Sequence, residues 1–196
     1  MAHKAMSDAA QAHDRQDAIL DAAFHAFATY GFRRTTMDDI AHAAGLSRSA
    51  LYVHFRNKED LFRQLTRRYF ADVLREFGLI LERPSDDIAA TLAAAFRAKD
   101  GKFMDVVLGT PHGAELMDAG FSIAGDIAAI GEAALQAKLA TWIGQRPTAP
   151  DLGSPDEIAQ TLMAALKGIK SASTTPSDYR AAQMRLAAAF GRALRD

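Results

Sequence analysis

The stretch MDDIAHAAGLSRSALYVHF, residues 37–55, constrains this chain most, because a single glycine divides two apolar-periodic segments that are each too short to be stable alone. Thr36, with Asp39 three residues on, reads as the N-cap and N3 of a helix from Met37 to about Ala44, and Ser47 caps a second helix over Arg48–His54. Gly45 supplies the positive φ that turns the chain sharply between them. Ile40 and Ala44 then face inward, Ala41 lets the helices cross closely, Leu46 plugs the turn, and Leu51 and Phe55 pack the second helix back. Arg48, Ser49, Tyr52 and Val53 are left outward. A seven-residue helix is about 10 Å long and fits a major groove about 12 Å wide, so the segment reads as a helix-turn-helix.

The rest of the chain has no period-two alternation long enough for a strand, so the fold expected is all-α. A first helix runs from about Arg15 to Tyr30, with Gly31 as its left-handed C′ residue; residues 1–13 precede its apolar face and are expected to form a mobile tail. Asn57 caps a long helix from Lys58 whose apolar face (Phe62, Leu65, Tyr69, Phe70, Val73, Leu74, Phe77) runs well past the basic region. Ser85 is expected to cap a helix reaching about Lys99. Short helices broken at Gly109–Gly113 follow, then a helix over Ile123–Ile143, a loop over 145–154, and two final helices opened by Ser154-Pro155-Asp156-Glu157 and Thr175-Pro176-Ser177-Asp178. The organisation expected is a tail at 1–13, a helix-turn-helix domain at 14–57, a connecting helix at 58–82 and a ligand-binding and dimerisation domain at 83–196.

Net charge is −1, which hides an uneven distribution. Between Arg33 and Arg68 stand eight basic residues against four acids, and the remainder carries five more acids than bases. A basic segment therefore sits on an acidic body, as a nucleic-acid binder requires. The chain holds no cysteine, which excludes disulfides and thiolate chemistry and accords with a reducing cytoplasm. Its longest nearly apolar stretch, Ile88 to Phe96, falls far short of a bilayer span of about 20 residues. The expectation is a cytoplasmic protein with no membrane partner.

From Ile19 to Leu65 the chain resembles the DNA-binding domain of the TetR family of transcriptional regulators. The resemblance rests on Ala23-Phe24, Gly31-Phe32, Thr35-Thr36-Met37-Asp38-Asp39-Ile40-Ala41, Ala44-Gly45-Leu46-Ser47, Leu51-Tyr52-Val53-His54-Phe55 and Asn57-Lys58-Glu59-Asp60-Leu61, about a quarter of the chain. Ser49 departs from the pattern, since many members carry glycine there; a small residue is kept, but base preference is open to change. The resemblance implies a DNA-contacting set of Thr36, Ser47, Arg48, Ser49, Tyr52, His54 and Lys58. Chemistry supports it: the Thr36 hydroxyl and helix N-terminus suit a phosphate, Tyr52, His54 and Lys58 donate to phosphate oxygens, and Arg48 and Ser49 stand where base edges lie. Arg33 and Arg34 rank below Lys58. Arg63, Arg67 and Arg68 read as a solvated face paired with Glu59 and Asp72.

In the body, Phe96, Phe103, Met104, His112, Met117, Phe121 and Trp142 are the candidate pocket wall, apolar and polarizable with one imidazole to orient a ligand; Arg97, Lys99 and Lys102 are placed at the surface. The apolar faces of the last two helices, Ile158, Leu162, Leu166, Ile169, Tyr179, Leu186, Phe190 and Leu194, are the expected dimer interface. No nucleophile motif, phosphate loop, dinucleotide fingerprint or strongly spaced metal-ligand set appears, so neither an enzyme nor a cofactor or metal protein is expected. The function this implies is a homodimeric repressor released from double-stranded operator DNA by a small hydrophobic effector. A helical adaptor that keeps the fold without binding DNA is the alternative.

Overall fold

The computed structural model describes residues 2–148 and 150–194, with side chains from Asp14 on except those of Phe121 and Pro150. Every regular element among them is helical: α1 (Ala2–Tyr30), α2 (Met37–Ala43), α3 (Arg48–His54), α4 (Lys58–Glu82), α5 (Ile88–Gly109), α6 (Gly113–Ile143), α7 (Pro155–Ala172) and α8 (Pro176–Ala193), with one 3₁₀ turn at Pro150–Leu152. The chain divides into two compact units. One comprises residues 1–68 with 110–125, the other 69–109 with 126–196.

Four boundaries differ from expectation. The α1 backbone begins at Ala2 rather than near Arg15, since Ala, Met, Gln and Lys propagate a helix without needing a buried face. Asp87, not Ser85, caps α5: its carboxylate accepts from Ala90 N at 2.9 Å, while Ser85 Oγ accepts from Asp87 N in the preceding turn. The same helix runs past Lys99 to Gly109, held there by interior bonds described below. The expected start near Ile123 appears as a kink in α6 at Ala124, whose φ of −130° and ψ of 21° are not helical.

In the first unit, Phe27, Phe32 and Phe62 form an aromatic trio with centroids 5.1 to 5.9 Å apart, joined by Ile19, Leu20, Leu61 and Leu65. Each such ring pair adds about 0.5–1.5 kcal/mol beyond area burial. Gly31 (φ +85°) ends α1, and the Glu115 carboxylate lies 2.0 Å from where a Cβ on it would stand. Arg68 reaches back to Asp17 O at 2.7 Å and to the Asp21 carboxylate, while Asp72 pairs instead with Arg75 at 2.7 Å. The α4 basic face is thus tied partly to α1, not to Asp72 as the i, i+4 spacing suggested.

In the second unit, Phe77, Leu92, Phe96, Leu135, Leu139, Ile143, Leu162 and Leu166 are fully or almost fully buried in one core. This core also takes most of the residues expected at a dimer interface. Ile158, Leu162, Leu166, Tyr179 and Leu194 are each no more than 2% exposed within the single chain, and Leu186 and Phe190 are half-buried against the same core. Helix α5 is apolar around most of its circumference and needs cover on several sides, so the inner faces of α7 and α8 are consumed within the subunit.

Lys99 is likewise not at the surface. It is 5% exposed, and its ammonium contacts Asp100 Oδ2 and Glu132 Oε1, both at 2.9 Å. Lys170 Nζ reaches Asp100 Oδ1 at 3.2 Å, Tyr179 OH donates to Asp100 Oδ2 at 3.1 Å, and Tyr69 OH donates to the Lys99 carbonyl at 2.5 Å. Burial alone would raise the Asp100 pKa, but the Lys99 and Lys170 ammoniums outweigh it and hold the carboxyl below its ordinary value. For Lys99, burial pulls down, and Asp100 and Glu132 outweigh it and raise the pKa. The cluster stays charged because each member neutralises another.

Candidate nucleic-acid interface

Helices α2 and α3 are positioned by local bonds that their sequence dictates. Thr36 Oγ1 accepts from Asp39 N at 3.2 Å and Asp39 Oδ2 accepts from Thr36 N at 2.8 Å, closing a full capping box. The Asp39 carboxyl is held below its ordinary pKa, first by the Thr36 hydroxyl bond and then by the Thr36 backbone bond. At the other end Leu46 N donates to Ala41 O at 2.8 Å and Gly45 N to His42 O at 3.1 Å, with Gly45 at φ +67°. Ser47 Oγ accepts from Ala50 N at 3.2 Å and opens α3. Ile40, Ala41, Leu51 and Phe55 are buried between the two helices, which fixes the azimuth of α3.

That azimuth leaves Arg48, Ser49, Tyr52 and Val53 exposed on one face, Val53 at 82%. Arg48 and Tyr52 lie one turn apart, with the guanidinium carbon 5.6 Å from the ring centroid, and Arg48 Nη1 bonds Asp38 Oδ2 on α2 at 2.7 Å. Ser49 Oγ is 3.1 Å from Ser47 Oγ. His54 is half-buried in the last turn. These side chains form one surface, as the sequence indicated.

Two of the expected DNA contacts have other work. Lys58 Nζ donates to the carbonyls of Phe32 at 2.8 Å, Thr35 at 3.0 Å and Arg33 at 3.2 Å, and lies 4.6 Å from the Phe32 ring centre. An ammonium has three donors, so a phosphate contact would require it to surrender one of these. Lys58 clasps the turn between α1 and α2 onto the start of α4. The Thr36 hydroxyl donates to Asp39 Oδ2 at 2.7 Å, so its proton too is engaged. Arg34, Arg56 and Arg67, by contrast, are exposed. Asp38 is the residue that the sequence reading missed. Its spacing of ten residues from Arg48 means nothing until the Gly45 turn folds one helix onto the other.

The candidate effector wall is divided between the two units. Phe96, Met104 and Trp142 are buried in the second unit, and Phe103 there is half-buried against the Tyr69 ring at 5.6 Å and the Lys170 ammonium at 5.0 Å. His112 and Met117 belong to the first unit, where His112 Nδ1 stands 3.7 Å from the Glu115 carboxylate. The side chain of Phe121 lies outside the described residues. Among the described side chains of the set, Trp142 alone lines a shallow, open groove of about 370 Å³, formed with Gly78, Leu81 and Glu82 of α4 and Lys138, Thr141 and Gln145 of α6 and the turn after it. No described helix is long and apolar enough to cross a membrane.

Residues 19–65 match the family model described as bacterial regulatory proteins, tetR family. The transcriptional repressor KstR2 of Mycolicibacterium smegmatis is 29% identical over 111 residues, 55% of this chain, and the chain spans 54% of that relative's length. A tetR-family regulator from Mesorhizobium loti shares the fold with a TM-score of 0.65 at 20% identity, covering 91% of this chain and 95% of its own. SmeT, the repressor of the Stenotrophomonas maltophilia efflux pump SmeDEF, does so with a TM-score of 0.59 at 21% identity, covering 89% of each chain. A family-model match, a buried helix-turn-helix scaffold and an all-α body agree: residues 19–65 of this chain are similar to the tetR-family regulatory domain, and the chain shares the fold of solved regulators.

Proposed function

We propose that this protein is a transcriptional repressor that binds double-stranded operator DNA as a homodimer and lets go when a small hydrophobic effector occupies the body. The observation that carries the reading is the exposed face of α3, where Arg48, Ser49 and Tyr52 project from a scaffold made rigid by two caps and the Gly45 turn. Rigid presentation matters because base readout needs donors held in a fixed register against the groove. KstR2 and SmeT are repressors, and SmeT has been solved with triclosan. In this reading residues 14–57 bind DNA, 58–82 connect, and 83–196 bind effector and partner.

The dimer forms through α7 and α8, using the faces that the subunit core leaves wholly or partly uncovered: the exposed Thr161, Ala164 and Gly168 on α7, and on α8 the exposed Met184 between the half-buried Ala181 and Ala188. Met184 is 65% exposed, which in a lone subunit leaves a large apolar side chain in water. Two recognition helices about 34–36 Å apart then meet successive turns of B-DNA. The experiment is selection of fragments from a random duplex library by the purified protein, with sedimentation in parallel. A recovered palindrome and a dimer are expected, with Met184→Glu giving folded monomers that lose the palindrome. Failure of the wild type to retain any duplex at low salt would favour the adaptor alternative.

A further inference from the structure

We propose that Asp38 is a specificity-determining residue that orients Arg48 to read a guanine in each half-site; the inference rests on the DNA-binding reading above. Arg48 opens α3, and its side chain turns toward α2, where Asp38 Oδ2 takes Nη1 at 2.7 Å. Tyr52, one turn on, lies beside the same guanidinium with its centroid 5.6 Å away. Two contacts of different kind, a carboxylate hydrogen bond and an aromatic neighbour, restrict both the position and the orientation of the group. The Nε and Nη2 protons remain uncommitted.

The pair adds little to stability where it stands, because both side chains are more than half exposed and an exposed ion pair is screened and entropically costly. An acidic residue beside the recognition helix also weakens every phosphate contact nearby, a penalty paid on any duplex. A position that stabilises little and repels the ligand's backbone is explained by what it does to Arg48. A free arginine samples many rotamers and accepts phosphate or base alike, whereas a guanidinium held in one orientation offers its fork only to paired acceptors such as guanine O6 and N7. Asp38 therefore exchanges general affinity for discrimination.

The test compares the full-length wild type with Asp38→Asn, Arg48→Lys, Arg48→Ala and the Asp38→Asn/Arg48→Ala double variant, each checked for helical content and melting before selection from a random duplex library. The wild type should prefer guanine at one position per half-site by about tenfold or more. Asp38→Asn, nearly isosteric, should cut that preference about fivefold while raising affinity for unselected duplex. Arg48→Lys keeps the charge without the fork and should lose the guanine preference with its salt dependence intact. Arg48→Ala should abolish the preference, and the double variant should lose nothing more at that position. A guanine preference unchanged in Asp38→Asn, or a wild-type motif with no base dependent on Arg48, overturns the proposal while leaving DNA binding standing. Should Asp38→Asn fail to fold, a guanine preference unchanged in Asp38→Ala overturns it equally, since the carboxylate is then not what orients Arg48. Wild-type protein that selects no duplex overturns the DNA-binding reading itself, and this inference with it.

Discussion

In the helix-turn-helix segment the polar bonds sit at helix ends, where Thr36, Ser47 and Asn57 each cap the residue three positions on. In the body the most consequential polar groups are in the interior, where Lys99 and Asp100 are about 5% and 2% exposed and join α5 to α6, α7 and α8. The first arrangement fixes the local direction of short helices and leaves a surface free for recognition. The second fixes long helices against one another at the cost of desolvating charges. Local bonds build a presenting surface, and long-range buried bonds set the packing of the long helices.

If that contrast holds, the largest effect comes from leaving a buried charge alone. Asp100→Ala strands the Lys99 ammonium with only Glu132, itself 42% exposed at the side chain, and should cost about 3–5 kcal/mol. Thermal unfolding should fall by roughly 10 °C for a chain of this length. Asp38→Ala, which breaks an exposed pair, should move the same transition by less than about 1 kcal/mol. Equal losses from the two would break the contrast. The pH dependence follows in sign: the Asp100 pKa is depressed on folding, so its contribution is present above the unfolded carboxylate value of about 3.9 and lost as pH falls through the folded value. The Lys99 pKa is raised, so its share is present below about 10.4 and lost as pH rises through the folded value.

This division also explains what could be read from the sequence. The caps of α2, α3, α4, α7 and α8 and the Gly45 turn were legible because donor and acceptor lie within a few residues. The clasp made by Lys58 was not, since its three acceptors lie 23 to 26 residues away. Lys99 and Asp100 stand beside Gly101 and Lys102 in a run that looks solvated, and only the placement of Glu132, Lys170 and Tyr179 makes it an interior cluster. The apolar faces of α7 and α8 were seen correctly as faces. Periodicity does not tell whether such a face meets its own chain or a second copy, and here α8 packs on α5 while both faces enter the subunit core.

The clasp tests the contrast from the other side, because it is a long-range charged contact that organises the turn before α2. Lys58→Met keeps the stem over Phe32 but removes three N–H···O bonds to carbonyls, and should cost about 2 kcal/mol. Faster amide exchange at Thr35 and Thr36 should accompany it. Salt titration of DNA affinity then sharpens the role: a clasp leaves the slope unchanged, whereas a phosphate ligand lowers it by about one. A drop in slope would show that Lys58 gives up its carbonyls when DNA binds.

The smallest effects should come from the device the two regions share. Thr36→Ala and Ser154→Ala each remove an N-cap hydroxyl and should cost about 1 kcal/mol in thermal unfolding. Similar losses would confirm that helix ends are built alike throughout and that the regions differ in their interiors.

Carboxylate titration separates even these two caps. Both partner carboxylates, Asp39 and Glu157, have pKa values below the ordinary ones and contribute stability above those values that is lost as pH falls through the depressed ones. Their leading causes differ. The Thr36 hydroxyl is the first cause for Asp39, whereas the Ser154 backbone N–H, at 2.8 Å, is the first for Glu157. Alanine removes a hydroxyl but keeps the backbone N–H. NMR titration of the two side chains should therefore show Asp39 giving back a larger share of its depression in Thr36→Ala than Glu157 does in Ser154→Ala. Equal returns would mean that losing either hydroxyl frays its first turn, so that the backbone bond goes with it and the cap acts as one cooperative unit.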